Sequence, residues 1–311
     1  MYFENIKGQE FAKKYMINSI KNGKINHAYM FEGIEGVGKE TFANELAALL
    51  LEGNNLENIP DCIRIKPDGN SIKIAQIRNL QSDIVIKPHK KYKIYIIDKA
   101  EKMTVEAQNA LLKTLEEPPE YAIIILIANN KESLLPTIKS RCEIIKFTPI
   151  PLVEIKGYLI GQGIESNRAS LLSAFSRGSM KKALELASSN AFYEMKEDVQ
   201  KYIEIIINKN MVEILDIPSQ MDKYKSDSIA VLDMMINYFR DIMISKENIS
   251  KDMIINADKI LFIQNMSNKI TYSQVAKIID IIEDTKVKIK GNCNFSVSIQ
   301  VMSLNIYEVI K

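Results

Sequence analysis

The stretch GIEGVGKE at residues 33–40 decides the fold of the N-terminal part of the chain. It follows an apolar run at 28–31 and precedes a helical pattern over 42–51. A strand, a glycine-rich loop and a helix in this order form a phosphate-binding loop. The glycines let backbone N–H groups turn toward an anion, and the N-terminus of the helix adds the positive end of its dipole. We therefore predict an anion site, whose candidate residues are Gly33, Gly36, Gly38, Lys39 and Thr41.

Glu40 departs from the pattern of a phosphate-binding loop. After the lysine, the pattern G-x-x-x-x-G-K-[ST] has a hydroxyl side chain that binds Mg²⁺. That position is Glu40 here, and Thr41 lies one residue too late to replace the hydroxyl without a shift in register. The sequence therefore favours anion binding and argues against metal-assisted hydrolysis.

A second motif, KIYIID at residues 93–98, is typical of a buried parallel strand that ends in a carboxylate. An aspartate at this place, Asp98, is the Walker B residue that helps to hold Mg²⁺. Hydrolytic ATPases of this type continue with a glutamate that polarises the attacking water, whereas this chain has Lys99. Glu101 follows two residues later, and we expect it to point elsewhere. A structural use of Asp98, such as capping the next helix, stays open.

Several further motifs are distinctive, and the most specific is AQNALLKTLEEPP at residues 107–119, where apolar residues at helical spacing precede two prolines that end a helix. The others are IIDKAEKM at 96–103, Ser140-Arg141-Cys142, Gly8-Gln9, His27-Ala28-Tyr29 and Asn292-Cys293-Asn294. Together these motifs resemble the clamp-loader branch of the AAA+ proteins, and within it the delta-prime subunits of bacterial DNA polymerase III.

The resemblance implies an α/β N-terminal P-loop AAA+ domain, followed by a small helical lid and an all-α C-terminal collar domain. Strand and helix patterns alternate before Pro149-Ile150-Pro151, which predicts a parallel sheet covered by helices, and only helical patterns follow. We place the domains at residues 1–150, 151–190 and 191–311, with the collar serving oligomerisation.

The resemblance also implies roles for three further residues. Arg141 corresponds to an arginine finger that is presented in trans to the ATP of a neighbouring subunit; an ordinary surface arginine in an ion pair is the alternative. Asn129, after the apolar run 121–128, corresponds to the sensor-1 residue, although a turn at the end of a strand explains it equally well. Lys181 stands where active loaders have an arginine, and it lacks the planar fork that grips phosphate.

Cysteine usage argues against a zinc site. Many members of the family carry a four-cysteine zinc module between the P-loop helix and the second strand, but here only Cys62 lies in that interval. Tetrahedral zinc needs four closely spaced ligands, so we expect no zinc and no other metal. We expect residues 61–69 to connect directly where the module would lie. No cofactor is required, and ATP or ADP would bind only weakly.

The function implied is a non-hydrolysing subunit of the DNA polymerase III clamp loader, part of the polymerase holoenzyme. Its partners would be the gamma/tau ATPase subunits and the delta subunit, and through them the sliding clamp and primed DNA. A net charge of +2 implies no strong electrostatic attraction to nucleic acid. Three widely separated cysteines suggest a reduced, cytoplasmic protein, and no apolar stretch approaches the length of a membrane span. Two alternatives are a self-sufficient AAA+ ATPase of the clamp-loader or Holliday-junction motor group, and a free-standing nucleotide-binding regulator.

Overall fold

A computed structural model of the 311-residue chain describes residues 2–53, 59–247 and 253–311. The chain forms two compact units. The first comprises Met1–Leu159 with Phe175–Leu184, and the second comprises Ile160–Ala174 with Glu185–Lys311. The finer division at residues 150 and 190 stays a prediction.

The first unit is built on a sheet of five parallel strands. They are β1 (Ala28–Glu32), β2 (Cys62–Ile65), β3 (Lys93–Ile97), β4 (Ala122–Ala128) and β5 (Glu143–Lys146). Their order across the sheet is β2-β3-β4-β1-β5. The predicted parallel sheet is confirmed. Residues 61–69 are not a plain connection, however, because they contain β2, whose short Cys-Ile-Arg-Ile run pairs with β3.

In the first unit one helix precedes β1 and others connect the strands. They are α1 (Glu10–Lys21), α2 (Lys39–Leu50), α3 (Ile74–Ile84), α4 (Val105–Glu116) and α5 (Pro136–Lys139). The predicted helix over 107–117 is confirmed as α4, whose N-terminus is capped by the Thr104 hydroxyl. Leu111 and Leu115 on its apolar face are buried in the same core as Tyr95 and Ile97 of β3. Burial of β3 and β4 on both faces explains their nearly continuous apolar runs.

The described residues after β5 form helices and the turns and loops between them. The helices are α6 (Leu152–Gly161), α7 (Ser166–Ser176), α8 (Met180–Ala187), α9 (Asn190–Ile207), α10 (Met211–Met221), α11 (Ser228–Lys246), α12 (Ile260–Ser267), α13 (Tyr272–Lys290) and α14 (Phe295–Ile310). Within the second unit, α11 packs against α9, α12 and α13, while α14 packs against α10 and α13. No strand follows β5 among the described residues, which confirms the predicted all-α character. No helix in the described ranges has the length and apolar character needed to cross a bilayer.

One buried polar group fixes a turn in the second unit. The Asp241 carboxylate is fully buried and accepts hydrogen bonds from the backbone N–H groups of Ile255 and Asn256, at 2.9 and 2.8 Å. It also accepts one from the Asn256 side-chain amide at 2.7 Å. Burial raises the pKa of this carboxyl group, and these donors act in the opposite direction. The hydrogen bonds tie the chain after α11 back onto that helix.

We expect Leu111→Ala to destabilise the first unit by about 2–5 kcal/mol, because it removes a fully buried side chain from the core between α4 and the sheet. Val105→Ala is the control on the same helix, since Val105 is 58% exposed. Hydrogen exchange of the amides in β3 and β4 measures the change. Equal protection in the two variants would contradict the packing described for α4.

Candidate functional site

The glycine-rich loop of residues 33–38 joins the end of β1 to the start of α2. Gly38 precedes the first residue of α2 and has φ 95°, a left-handed conformation that favours glycine. Gly36 has φ 82°, and its carbonyl accepts a hydrogen bond from the Met180 backbone N–H at 2.9 Å. A Cβ atom at Gly36 would overlap the Ser179 hydroxyl and lie 2.7 Å from the Lys181 Cβ. A glycine is therefore needed where residues 179–181 cross the loop.

Lys39 lies inside the loop that it follows. Its side chain is buried, and its Nζ donates hydrogen bonds to the carbonyls of Gly33 and Ile34 at 2.5 and 2.7 Å. It donates a third to Asn129 Oδ1 at 2.9 Å. Burial lowers the pKa of Lys39 to about 8, against the opposing effect of Glu101 and Glu35. An anion that enters the loop would take over hydrogen bonds that these oxygens now receive.

Asn129 directly follows β4 and lies between Lys39 and Glu101. Its Nδ2 donates to Glu101 Oε1 at 2.9 Å, and its backbone N–H donates to Glu101 Oε2 at 3.3 Å. The expectation that Glu101 points away from the site is therefore wrong. Lys99 adopts a left-handed conformation with φ 50°, and the 3₁₀ turn Ala100–Lys102 brings the chain back toward the end of β4.

Arg64 of β2 connects the two acidic residues of the site. Its Nη1 donates to a carboxylate oxygen of Glu40 and to Asp98 Oδ2, the latter at 3.0 Å. Its Nη2 donates to the amide oxygen of Asn44 on α2. Burial raises the pKa of Asp98, while the Arg64 charge lowers it. The other oxygen of Asp98, Oδ1, is buried without a hydrogen-bond partner among the described residues.

These contacts do not fit a magnesium ion at the usual place. In P-loop enzymes Mg²⁺ is held by the Ser/Thr hydroxyl and the Walker B aspartate. At the corresponding positions this chain has Glu40 and Asp98, and a guanidinium nitrogen of Arg64 already lies between their carboxylates. Elsewhere, no group of three or more His, Cys, Asp or Glu side chains in the described residues has the arrangement of a metal site.

The loop opens on a cavity of about 1020 Å³ in the first unit. Thr41, Asp98, Lys99 and Asn129 are among the residues that line it. Of the described residues, six lysines line the cavity, against three carboxylates. The lysines are Lys7, Lys39, Lys66, Lys99, Lys102 and Lys181. This excess of cations suits an anionic ligand.

Lys181 lies beside the loop, as the sequence predicted, but its ammonium group has an acidic neighbour. Its Nζ forms a 2.7 Å ion pair with Glu35, a loop residue. The hydrogen bond from Lys181 lowers the pKa of Glu35, and burial acts in the opposite direction. Contact between Lys181 and a phosphate would therefore compete with an existing ion pair, so the role of Lys181 as a phosphate sensor stays a prediction.

Arg141 lies outside the set of residues that line the cavity. It follows α5, where its Nη2 lies 2.6 Å from Glu116 Oε1 and its Nη1 donates to the Thr137 carbonyl at 3.0 Å. The side chain is 34% exposed. Its base is packed: Ile138 is fully buried, and burial raises the pKa of the Cys142 thiol to about 12. Arg141 thus places its guanidinium at the surface, next to well-packed neighbours in the chain. It also forms an ion pair, as expected for an ordinary surface arginine.

The structure places Gly36, Gly38, Lys39, Thr41, Asp98, Asn129 and Lys181 around one cavity, whereas Gly33 and Arg141 lie outside its lining. Sequence reasoning missed Arg64 and Glu116, and it placed Glu101 wrongly. A lone charged residue within the apolar run CIRI at residues 62–65 was the available signal for Arg64. For Glu116 the sequence offered no comparable signal.

Comparison with known proteins gives the family. The family model described as "DNA polymerase III, delta subunit" matches residues 8–151. The delta' subunit of DNA polymerase III from Bacillus subtilis (strain 168) is 32% identical over 307 residues, which cover 92% of each chain. The chain belongs to the clamp-loader family of DNA polymerase III subunits.

Two further proteins are similar to this chain. The tau subunit of Bacillus subtilis (strain 168) is 27% identical over 330 residues, covering 93% of this chain and 58% of tau. Among solved structures, a gamma-subunit-related protein of DNA polymerase III from Thermotoga maritima is 18% identical. The match covers 95% of this chain and 99% of that protein, with a TM-score of 0.47. The curated proteins similar to this chain thus include a delta' and a tau subunit of DNA polymerase III.

We expect the affinity of the loop for ATP to fall as the pH rises. Lys39 of the free chain loses its proton above a pH of about 8, whereas a bound phosphate would hold that proton in place. Binding then takes up one proton, so the affinity should decrease about tenfold per pH unit above the pKa. Calorimetric titration across this range measures the effect.

Lys39→Met is the matched variant for this measurement. It should bind ATP more weakly at neutral pH and show no inflection near the pKa of Lys39. An affinity of the unchanged chain that stays constant from about pH 7 to about pH 9 would show that Lys39 does not contact the bound anion.

Proposed function

We propose that this chain is a clamp-loader subunit of the delta' kind, which does not hydrolyse ATP and supplies Arg141 to the ATP of a neighbouring subunit. The observation that carries this proposal is the position of Arg141. Its guanidinium is at the surface on a packed base and outside the chain's own cavity. Arginine suits the role because its charge is permanent and its planar fork matches phosphate oxygens.

The residues of the chain's own cavity also support the proposal, because they argue against ATP hydrolysis there. Glu40 stands in place of the metal-binding hydroxyl and is bonded to Arg64. Lys99 stands in place of the glutamate that would polarise water, and a protonated lysine cannot accept a proton. Lys181 is paired with Glu35. Metal binding, base catalysis and phosphate contact are each altered, which favours a site without turnover.

One observation favours the alternative of a self-sufficient ATPase. Glu101 is an acidic side chain beside Asn129 and Lys39, so a carboxylate is present near the place where a nucleotide would bind. Both of its oxygens already accept hydrogen bonds from Asn129. These contacts occupy Glu101 and favour a structural role over that of a general base.

The proposal extends to partners and cofactors. We propose assembly with gamma/tau ATPase subunits and a delta subunit, and through them action on the sliding clamp and primed DNA in the cytoplasm. Support comes from the relatives, which are named as subunits of DNA polymerase III. We assign assembly contacts to the helices of residues 191–311, the proposed collar, and propose no required cofactor and no zinc.

We expect the purified chain to hydrolyse ATP no faster than its Lys39→Ala variant, because the site has neither the hydroxyl side chain that would bind Mg²⁺ nor a glutamate directly after Asp98. A coupled assay with the chain alone measures this. Glu101→Gln separates the two candidate functions. Turnover by the unchanged chain that disappears in both Lys39→Ala and Glu101→Gln would establish the ATPase alternative.

In a reconstituted loader, we expect Arg141→Ala to leave assembly intact and to reduce clamp-dependent ATPase and clamp loading. A finger supplied in trans contributes about 10³–10⁵ in turnover at the site it reaches. Only one of several sites is affected, so the whole complex should show a partial defect. Arg141→Lys should restore part of the loss, since an ammonium keeps the charge without the bidentate geometry.

Arg78→Ala is the control for the Arg141 variants, because Arg78 is an exposed arginine on α3 of the same unit. It should behave like the unchanged chain in assembly, ATPase and loading. If Arg141→Ala also matched the unchanged chain at both limiting and saturating ATP, Arg141 would be a structural surface residue.

A further inference from the structure

We propose that the Arg64 guanidinium takes the place of the divalent cation in this phosphate loop, so that the loop binds a polyphosphate without Mg²⁺. The ligand class is a free polyphosphate anion, either a nucleotide or inorganic pyrophosphate. This inference concerns the isolated chain, and it holds or fails independently of the roles proposed for Arg141 and for the clamp-loader partners.

The position of Arg64 carries the inference. Its Nη1 contacts one oxygen of Glu40 at the start of α2 and one oxygen of Asp98 after β3. These are the positions from which P-loop enzymes coordinate Mg²⁺. A single cationic nitrogen therefore bridges the same two positions that a metal would bridge.

The contacts also explain why a metal would not displace the guanidinium. The second nitrogen of Arg64 donates to Asn44, which fixes the orientation of the fork. Asp98 is only 9% exposed, and loss of its partner would leave a nearly buried carboxylate without compensation. Metal binding would therefore have to offset the free-energy cost of removing the guanidinium from Asp98.

The cavity supplies the remaining charge that an unchelated polyphosphate needs. Six lysines line it, against three carboxylates, and two of these carboxylates are already paired with Arg64. The third, Glu35, is paired with Lys181. The cations Lys7, Lys39, Lys66, Lys99 and Lys102 remain as lining residues for the anion.

The first test measures binding of ATP and of inorganic pyrophosphate to the full chain by calorimetry, once with Mg²⁺ and once with EDTA. We expect at least one of the two anions to bind, with an affinity in EDTA equal to or higher than that in Mg²⁺. Binding of pyrophosphate would show that phosphate contacts alone provide the affinity. Binding of ATP but not of pyrophosphate would show that the nucleoside also contributes. Tighter binding in Mg²⁺, or no binding of either anion, would overturn the proposal.

The second test changes Arg64 itself. Arg64→Ala should free both carboxylates, so that Mg²⁺ or Mn²⁺ raises the Tm of this variant in a concentration-dependent manner while the unchanged chain shows no shift. The variant should also bind ATP more tightly with Mg²⁺ than with EDTA. Arg78→Ala is the matched control and should behave like the unchanged chain in every arm.

Arg64→Gln provides the same comparison if Arg64→Ala fails to fold, because glutamine is uncharged and retains more of the polar side chain than alanine does. A metal-dependent rise in the Tm of the unchanged chain would show that Mg²⁺ binds despite Arg64. Equal indifference to metal in the unchanged chain and in the folded Arg64 variants would show that Arg64 does not occupy a cation site. Either result refutes the inference.

Discussion

The shared edge of the parallel sheet is the constraint on which the site depends. Strands β1, β3 and β4 all run in the same direction, so the residues that follow them lie at one edge. The loop after β1, Asp98 after β3 and Asn129 after β4 are brought together for this reason. Lys39 joins two of these segments, since it bonds to the loop carbonyls and to Asn129.

Fixed charges then decide what this edge can bind. An active P-loop site leaves a carboxylate and a hydroxyl for a mobile divalent cation. Here β2 lies beside β3 at the end of the sheet and brings Arg64 to Asp98. Glu40, at the position where the loop pattern has a hydroxyl, is thus paired with Arg64. The second carboxylate adds a negative charge, and the guanidinium compensates it.

The sequence was sufficient for those features that local patterns encode. Three strands and α4 were predictable because burial on both faces produces apolar runs, and because prolines end the helix. Two short strands, β2 and β5, were missed since each has only four residues and is not uniformly buried. The orientation of Glu101 was also beyond reach, because it depends on the left-handed conformation of Lys99, a residue type that rarely adopts it.

Arg64 and Arg141 differ in how strongly each is held. The Arg141–Glu116 pair has side chains that are 34% and 49% exposed, and pairs of this kind contribute about 0–1 kcal/mol. A phosphate on another subunit can compete with such a contact. Arg141 also contacts Thr137 and Ser140, so both arginines have three partners, but one partner of Arg64, Asp98, has a side chain that is only 12% exposed. Breaking that contact would leave a nearly buried carboxylate without its cation, which costs far more than loss of a surface pair. The exposed partner of Arg141 thus supports its proposed role toward a phosphate outside the chain, whereas the nearly buried partner of Arg64 keeps that guanidinium within its own site.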